Sequence, residues 1–193
     1  FPKFYNGSMP TAEDWQRQYI RNVLDFMRRG RTKGKILFLG DQPNFEANYA
    51  TLGTDPTDFG IAFPDTIRGA GYTLDAMVWQ NFKGGAPKAA DFLQYQGVVF
   101  VASTTGAATA IPEEFAVELE TAIRQGTGLF AITDHDVFTK SFTTIMNHFA
   151  VRIYNDPTES SMVYFDACRE VLEYKPLLEN ITVSGFRAPG SIS

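Results

Sequence analysis

The sequence predicts an α/β protein whose sheet is mostly parallel, with helices on both faces of the sheet. Three short apolar runs lack the polar alternation of a half-exposed strand: Lys35–Gly40, Gly97–Ser103 and Leu129–Thr133. Such runs are typical of central parallel strands, which are buried on both faces. Helical periodicity occupies the stretches between them, and the order βαβαβαβ indicates a parallel sheet.

The composition is that of one globular domain. The chain has 193 residues, of which 44% are hydrophobic and 14% aromatic, enough apolar material for a sizeable core in a single domain spanning 1–193. The net charge of -5 argues against a nucleic-acid partner, which requires a concentrated basic surface. No stretch approaches the roughly 20 apolar residues of a membrane span, so no membrane partner is predicted.

Residues 11–29 form the first predicted helix. Its large apolar side chains recur every four residues: Trp15, Tyr19, Val23 and Met27. This spacing places them on one helix face, which we expect to pack on the sheet. The basic cluster Arg28–Lys35 follows, where cations complement the negative end of a helix.

The next elements alternate between helix and strand. After a long loop, Phe63–Gly71 is predicted to be a short helix, Tyr72–Trp79 a strand and Pro87–Gln94 a helix. Beyond the strand at 97–103, Ile111 and Pro112 open a helix with proline in the first turn. Its buried face is predicted to contain Phe115, Leu119 and Ile123, and Gly126 ends the helix.

The last third of the chain is less regular. Phe138–Phe149 is predicted to be a helix and Val151–Tyr154 a fifth short strand. Met162–Tyr174 is compatible with either strand or helix, and Ile181–Val183 is predicted to be the last strand.

Three segments support a family resemblance: Tyr95–Ser103, Arg124–Asp136 and Lys175–Gly185. Together they resemble the class I glutamine amidotransferase-like superfamily, over roughly residues 35–185. The resemblance implies a flavodoxin-like three-layer sandwich. The superfamily includes many members without amidotransferase activity, so the fold does not by itself define a function.

The chain departs from the active members at the catalytic positions. Active amidotransferases of this superfamily place a cysteine nucleophile in a sharp strand-to-helix turn, with a histidine and an acid later in the chain. Here Thr133–Asp136 and Ser103–Gly106 follow the relevant strands without a cysteine. The only cysteine, Cys168, is predicted to lie in a helix rather than at a strand end, and Lys175 stands where relatives often have histidine. Glutamine hydrolysis is therefore not expected.

Polar residues follow three of the predicted strands. The carboxyl ends of parallel strands meet at one edge of an α/β sheet, where ligands bind. The residues expected to bind a ligand there are Asp41, Gln42, Asn44, Thr104, Thr105 and Asp136. If the protein is an enzyme, the residues expected to act in catalysis are His135, Asp134 and Ser103.

Three interpretations of this edge remain open. Asp41, Asp134, His135 and Asp136 supply oxygen and imidazole ligands suited to zinc or manganese, but adjacent residues on an extended segment point to opposite sides, so no metal is assigned. A hydrolase would use Ser103 or Thr104 activated by His135. The simplest interpretation is that Asp134 or Asp136 caps the following helix. His148, in an apolar helix, is interpreted as structural.

The favoured function is that of a non-catalytic module, structural or ligand-binding, with a small molecule or carbohydrate as ligand and protein partners in a larger assembly. The alternative is a hydrolase that uses His135 with a metal or a Ser/Thr nucleophile. No cofactor is predicted. Because the chain starts at Phe1 rather than Met, we expect a processed chain or a piece of a longer one, secreted, at a surface or in a virion.

Overall fold

The protein is built around a sheet of four parallel strands. In the computed structural model these are β1 (Lys35–Gly40), β2 (Thr73–Val78), β3 (Gly97–Ala102) and β4 (Gly128–Thr133), in the order β2-β1-β3-β4. The structure describes residues 10–41, 62–102, 109–133 and 140–149, with the short strands at 153–154, 162–164, 185–187 and 191–192. The α/β class and the parallel direction of the three apolar runs are confirmed.

The register brings the carboxyl ends of the strands to one edge. Gly40 at the end of β1 lies opposite Val78 of β2 and Val101 of β3, and Ala102 lies opposite Thr133 of β4. From Ile36 to Gly40 in β1 and throughout β3 every residue is buried. Burial on both faces of the sheet explains why the sequences of these two strands contain no polar alternation.

Five α-helices accompany the sheet in the described ranges: α1 (Pro10–Arg28), α2 (Ala62–Gly69), α3 (Ala89–Leu93), α4 (Glu113–Arg124) and α5 (Lys140–Asn147). A short 3-10 helix, Trp79–Gly85, follows β2 directly. Helix α1 packs on α2 and on β4, α4 packs between α3 and α5, and α5 contacts β3 and β4. All five helices were predicted from the sequence, with boundaries that differ by a few residues.

Helix α1 approaches the sheet where two strands begin with glycine. Val23 and Met27 of its apolar face are each 3% exposed. A Cβ atom at Gly97 would lie 3.0 Å from the Met27 side chain, and one at Gly128 would lie 2.5 Å from the Met27 Cβ atom. Gly128 therefore provides the space for Met27, since real Cβ atoms do not come within 2.5 Å of another carbon, whereas at Gly97 only the flexible end of the Met27 side chain would have to move.

Helix α4 begins one residue later than the sequence indicates. Pro112 is extended, with ψ of 159°, and precedes the first helical residue, Glu113. Its carbonyl accepts hydrogen bonds from the N–H groups of Phe115 and Ala116. The prediction of Pro112 within the first turn was wrong by one residue, because proline also suits the capping position, where only a carbonyl is needed. Gly126 ends the segment with φ of 114°.

Aromatic rings fill the core between β2, α3 and α4. The ring centroids of Phe82 and Phe92 are 5.0 Å apart, those of Phe92 and Phe115 are 5.4 Å apart, and Trp79 lies 5.8 Å from Phe115. The Phe92–Phe115 and Trp79–Phe115 pairs are edge-on, the arrangement that ring quadrupoles favour.

Strand β4 is less buried than its sequence predicts. Leu129, Phe130 and Ala131 are half-buried, although the run was interpreted as a fully buried strand. Among the described strands β4 pairs only with β3, so it lies at the edge of the sheet. An edge strand has one neighbour fewer to exclude water.

The remaining strands form two small antiparallel pairs. Strand β5 (Ile153–Tyr154) pairs with β8 (Ser191–Ile192), and β6 (Met162–Tyr164) pairs with β7 (Gly185–Arg187). The fifth strand was predicted at 151–154, and in the structure residues 153–154 pair with β8. The ambiguous segment 162–174 begins as a strand, and the predicted strand at 181–183 lies outside the described residues. No helix in the described ranges is long and apolar enough to cross a membrane.

Candidate functional site

The candidate site lies at the carboxyl edge of the sheet, beyond the last paired residues of β1 and β3. Asp41 directly follows Gly40, and its side chain is 0% exposed. The order β2-β1-β3-β4 makes the gap between β1 and β3 the point at which the chain reverses direction across the sheet. Ligands of open α/β sheets bind at such a point, so Asp41 occupies the position that this rule identifies.

The other predicted site residues lie outside the described part of the structure. These are Gln42, Asn44, Ser103, Thr104, Thr105, Asp134, His135 and Asp136. The strand ends that precede them, Gly40, Ala102 and Thr133, do lie at one edge. The predicted meeting of the strand ends is therefore confirmed, whereas the arrangement of these side chains stays a prediction.

The environment of Asp41 combines complete burial with nearby helix starts. A buried carboxylate is costly unless hydrogen-bond donors or positive charge stabilise it. Helices that follow parallel strands begin at the carboxyl edge, and α4 and α5 both begin there, after β3 and β4. Their amino-terminal N–H groups bear partial positive charge. The edge therefore favours negative groups, its own carboxylate included.

Two residues at the end of β2 belong to the same edge and were not predicted. Trp79 lies one residue beyond Val78, level with Asp41, and its indole Nε1–H donates a 2.7 Å hydrogen bond to the carbonyl of Thr109. The next residue, Gln80, has a buried side-chain oxygen that accepts no hydrogen bond from the described residues. The strand-end rule that identified Asp41 applies equally to β2 and would have found both.

A serine holds the two helix starts together beneath this edge. Ser141, in the first turn of α5, is 0% exposed, and its Oγ accepts a 3.1 Å hydrogen bond from the backbone N–H of Ile111, two residues before α4. Thr109, the acceptor for Trp79, lies in the same connection. The segment that leads into α4 is thus fixed to both β2 and α5.

The described residues contain no group of three or more His, Cys, Asp or Glu side chains that could hold a metal ion. Of the four residues weighed as ligands, only Asp41 lies in a described range. His148 lies away from the carboxyl edge, at the end of α5, where it contacts Glu113 and Glu120 of α4. These contacts agree with its interpretation as a structural histidine.

Comparison of the chain with protein-family models gives no match, and comparison with curated proteins gives no similar protein. The functional conclusion therefore depends on the geometry of the site and on the sequence.

Proposed function

We propose that this protein is a non-catalytic, ligand-binding module of the amidotransferase-like type, with its binding site at the carboxyl edge of the sheet around Asp41. The observation on which the proposal depends is the complete burial of the Asp41 side chain between the ends of β2 and β3. An acidic residue at this point of an open α/β sheet lies where ligands of such sheets bind.

The strand order supports the flavodoxin-like part of the proposal. The strand order β2-β1-β3-β4 matches the first four strands of the flavodoxin-like order 2-1-3-4-5. With right-handed crossovers, the step from β1 to β2 runs in the opposite direction to the steps from β2 to β3 and from β3 to β4. By that rule α2 would lie on one face of the sheet and α3 and α4 on the other, as in a three-layer sandwich.

The strand ends argue against glutamine hydrolysis. That reaction requires a cysteine nucleophile at a strand-to-helix turn, and the residues after the third and fourth strands are serine, threonine, aspartate and histidine. A module that retains the fold without the nucleophile can still bind ligands at the same edge.

The chemistry of the edge favours a ligand rich in hydroxyl groups. The buried side-chain oxygen of Gln80 accepts hydrogen bonds and receives none from the described residues. A ligand that satisfies it must therefore donate an N–H or O–H group. Carbohydrates offer several hydroxyl donors at once.

The test is a titration calorimetry screen of mono- and disaccharides against the wild type and Asp41→Asn. We expect a sugar that binds the wild type to bind the variant at least about tenfold more weakly, because hydrogen bonds to charged groups contribute about 1.5–3 kcal/mol. Asp25→Asn, on the exposed surface of α1, is the matched control and should bind normally. Equal affinity of the wild type and Asp41→Asn for the sugar would show that Asp41 does not take part in binding.

A hydrolase is the second candidate function, and one observation favours it. Asp41 is a buried carboxylate at the edge where the strand preceding His135 ends, and a buried acid orients the histidine in many hydrolases. Metal analysis and hydrolysis of p-nitrophenyl acetate by the wild type and His135→Ala distinguish the two functions. Turnover that His135→Ala abolishes while its circular dichroism spectrum is unchanged would favour the hydrolase.

A further inference from the structure

A second candidate site lies at the opposite edge of the sheet, where β4 begins. Helices α1, α4 and α5 all end here, and between them is a groove of about 240 Å³. Its apolar lining consists of Phe26, Met27, Ile123, Leu129, Met146 and Phe149. The groove is distinct from the carboxyl edge, since Thr127 and Gly128, which also line it, stand at the start of β4.

The groove leaves a large apolar side chain exposed to solvent. Phe26 is 56% exposed, the highest value among the exposed large hydrophobic residues of the described ranges. Leu129 is half-buried because β4 is an edge strand in the described sheet. Burial of apolar surface stabilises a complex in proportion to the area covered, so the lining favours an apolar ligand.

One cation at the rim of the groove, Arg29, favours a ligand with a negative charge. Most cations of the basic cluster 28–35 already have partners within the protein. Arg28 and Lys35 form ion pairs, with Asp25 and Asp75 respectively. Arg31 donates to the carbonyls of Gln96 and Gly126, and Lys33 donates to the carbonyl of Ala70. Arg29 differs. It lines the groove and is exposed, and within the described ranges its guanidinium makes no hydrogen bond or ion pair.

Three residues that line the groove have backbone N–H groups already bonded within the fold. The N–H of Thr127 already bonds to the carbonyl of Ala122, the N–H of Gly128 to that of Gln96, and the N–H of Arg29 to that of Phe26. The hydroxyl of Thr127 donates to the carbonyl of Phe92. An extended peptide binds by exchanging main-chain hydrogen bonds, whereas an acyl chain requires none.

We propose that this groove binds the acyl chain of a medium-chain carboxylate, with the carboxylate at Arg29. The groove of about 240 Å³ is many times the roughly 10–15 Å³ that admits one water-sized group, which leaves room for a chain of several methylene groups. The guanidinium presents paired donors that match a carboxylate. Since much of the chain would remain in contact with water, the expected dissociation constant is on the order of millimolar.

The test uses sodium octanoate, titrated into the isotopically labelled protein below the concentration at which octanoate forms micelles. We expect saturable chemical-shift changes at Phe26, Leu129 and Phe149. Octan-1-ol, which has the chain without the charge, should bind more weakly, and octylammonium should bind least. Acetate, which has the charge without the chain, should cause no saturable change.

Two variants test the two halves of the groove. Arg29→Gln should weaken octanoate binding about threefold to fivefold, the range of an exposed ion pair, and leave octan-1-ol unaffected. Arg21→Gln, which removes an exposed cation elsewhere on α1, is the matched control and should bind like the wild type. Ile123→Trp should fill the groove and abolish binding of both compounds.

Several results would overturn the proposal. Chemical-shift changes confined to residues away from the groove would show that octanoate binds elsewhere. Equal weakening of octanoate binding by Arg29→Gln and Arg21→Gln would show that the affinity depends only on the net charge of the protein. Concentration-dependent dimerisation that buries Phe26 would identify a second copy of the chain as the occupant. Failure of octanoate binding would leave the sugar-binding test unchanged, because the two sites lie at opposite edges of the sheet.

Discussion

His148 joins the end of α5 to α4 through two carboxylates. Its Nδ1 atom lies 2.7 Å from Oε2 of Glu120, and its Nε2 atom lies 2.9 Å from Oε1 of Glu113. The histidine side chain is only 15% exposed. Glu120 also accepts a 2.7 Å hydrogen bond from Nε of Arg124. Glu120 therefore receives donors from both helices, and its ionised form favours their packing.

This arrangement predicts a specific loss of stability in acid. The hydrogen bond from Arg124, and then that from His148, holds the pKa of Glu120 below its ordinary value of 4.5. A carboxyl group whose pKa is lower in the folded state stabilises the fold above its unfolded pKa, and this contribution disappears as the pH falls through the folded pKa. We expect the melting temperature of Glu120→Gln to be lower than that of the wild type at pH 7. Below about pH 4.5 the difference should shrink.

Thermal unfolding followed by circular dichroism from pH 7 to pH 3 measures this difference. Glu114→Gln is the control, because Glu114 is exposed on the same helix and makes no ion pair with the described residues. Its melting curve should follow the wild type at every pH. Glu118 and Asp91 also have lowered pKa values, each held chiefly by a hydrogen bond from a backbone N–H, so all three proteins should lose stability in acid. A constant gap between Glu120→Gln and the wild type would contradict the prediction.

At the scale of the elements, the contact of α1 with the sheet depends on a glycine, Gly128, at the point where the helix meets the sheet. Gly128 begins β4 and faces the backbone as well as the side chain of Met27: a Cβ atom there would lie 2.9 Å from the Met27 Cα atom. A flexible side chain could move away from such an atom, but a helix backbone can do so only if the whole helix shifts.

We therefore expect Gly128→Ala to destabilise the protein by about 1–3 kcal/mol, the range of overpacked cores, with chemical-shift changes along α1. Urea unfolding monitored by tryptophan fluorescence measures the free energy change. Gly69→Ala is the matched control, since a Cβ atom there would meet nothing within 4 Å and Gly69 is helical. It should be neutral or stabilising by up to ~1 kcal/mol. A Gly128→Ala variant as stable as the wild type would mean that α1 is not held against β4 in solution.

At the scale of the whole molecule, the parallel order divides the sheet into a centre and edges. Strands β1 and β3 are central and buried, and β4 is an edge strand in the described sheet. Amides of central strands open only when most of the structure unfolds, whereas edge strands open locally. The two kinds of strand should therefore differ in hydrogen exchange.

We expect the hydrogen-bonded amides of β3 to exchange at least about tenfold more slowly than the amides of β4 that donate to β3, a difference of ~1.4 kcal/mol in opening free energy. Exchange measured by NMR at two pH values, to establish that opening is at equilibrium, provides the comparison. The amides of β1 serve as the reference for a second central strand. Equal protection of β3 and β4 would indicate that a further segment covers the outer edge of β4.

Local sequence was sufficient to place the main elements. The run Lys35–Gly40 coincides with β1, and the strands at 73–78, 97–102 and 128–133 lie within a residue of their predicted positions. This succeeds because apolar runs and helical periodicity record, residue by residue, which positions are removed from water. The direction of the strands also followed, since a helix between two strands returns the chain to the same end of the sheet. Part of the site came with it: parallel direction alone predicts that Asp41 and the ends of β3 and β4 share an edge.

Only the tertiary structure decided how much each element is covered and by what. It showed that Leu129 is half-buried at an edge, that the strand at 153–154 pairs with the strand at 191–192, and that Met27 lies over Gly128. It also added Trp79 and Gln80 to the carboxyl edge and opened a groove beside Arg29. None of these follows from a local pattern, because burial and contact depend on which distant segments lie side by side, and many arrangements share the same alternation of strands and helices.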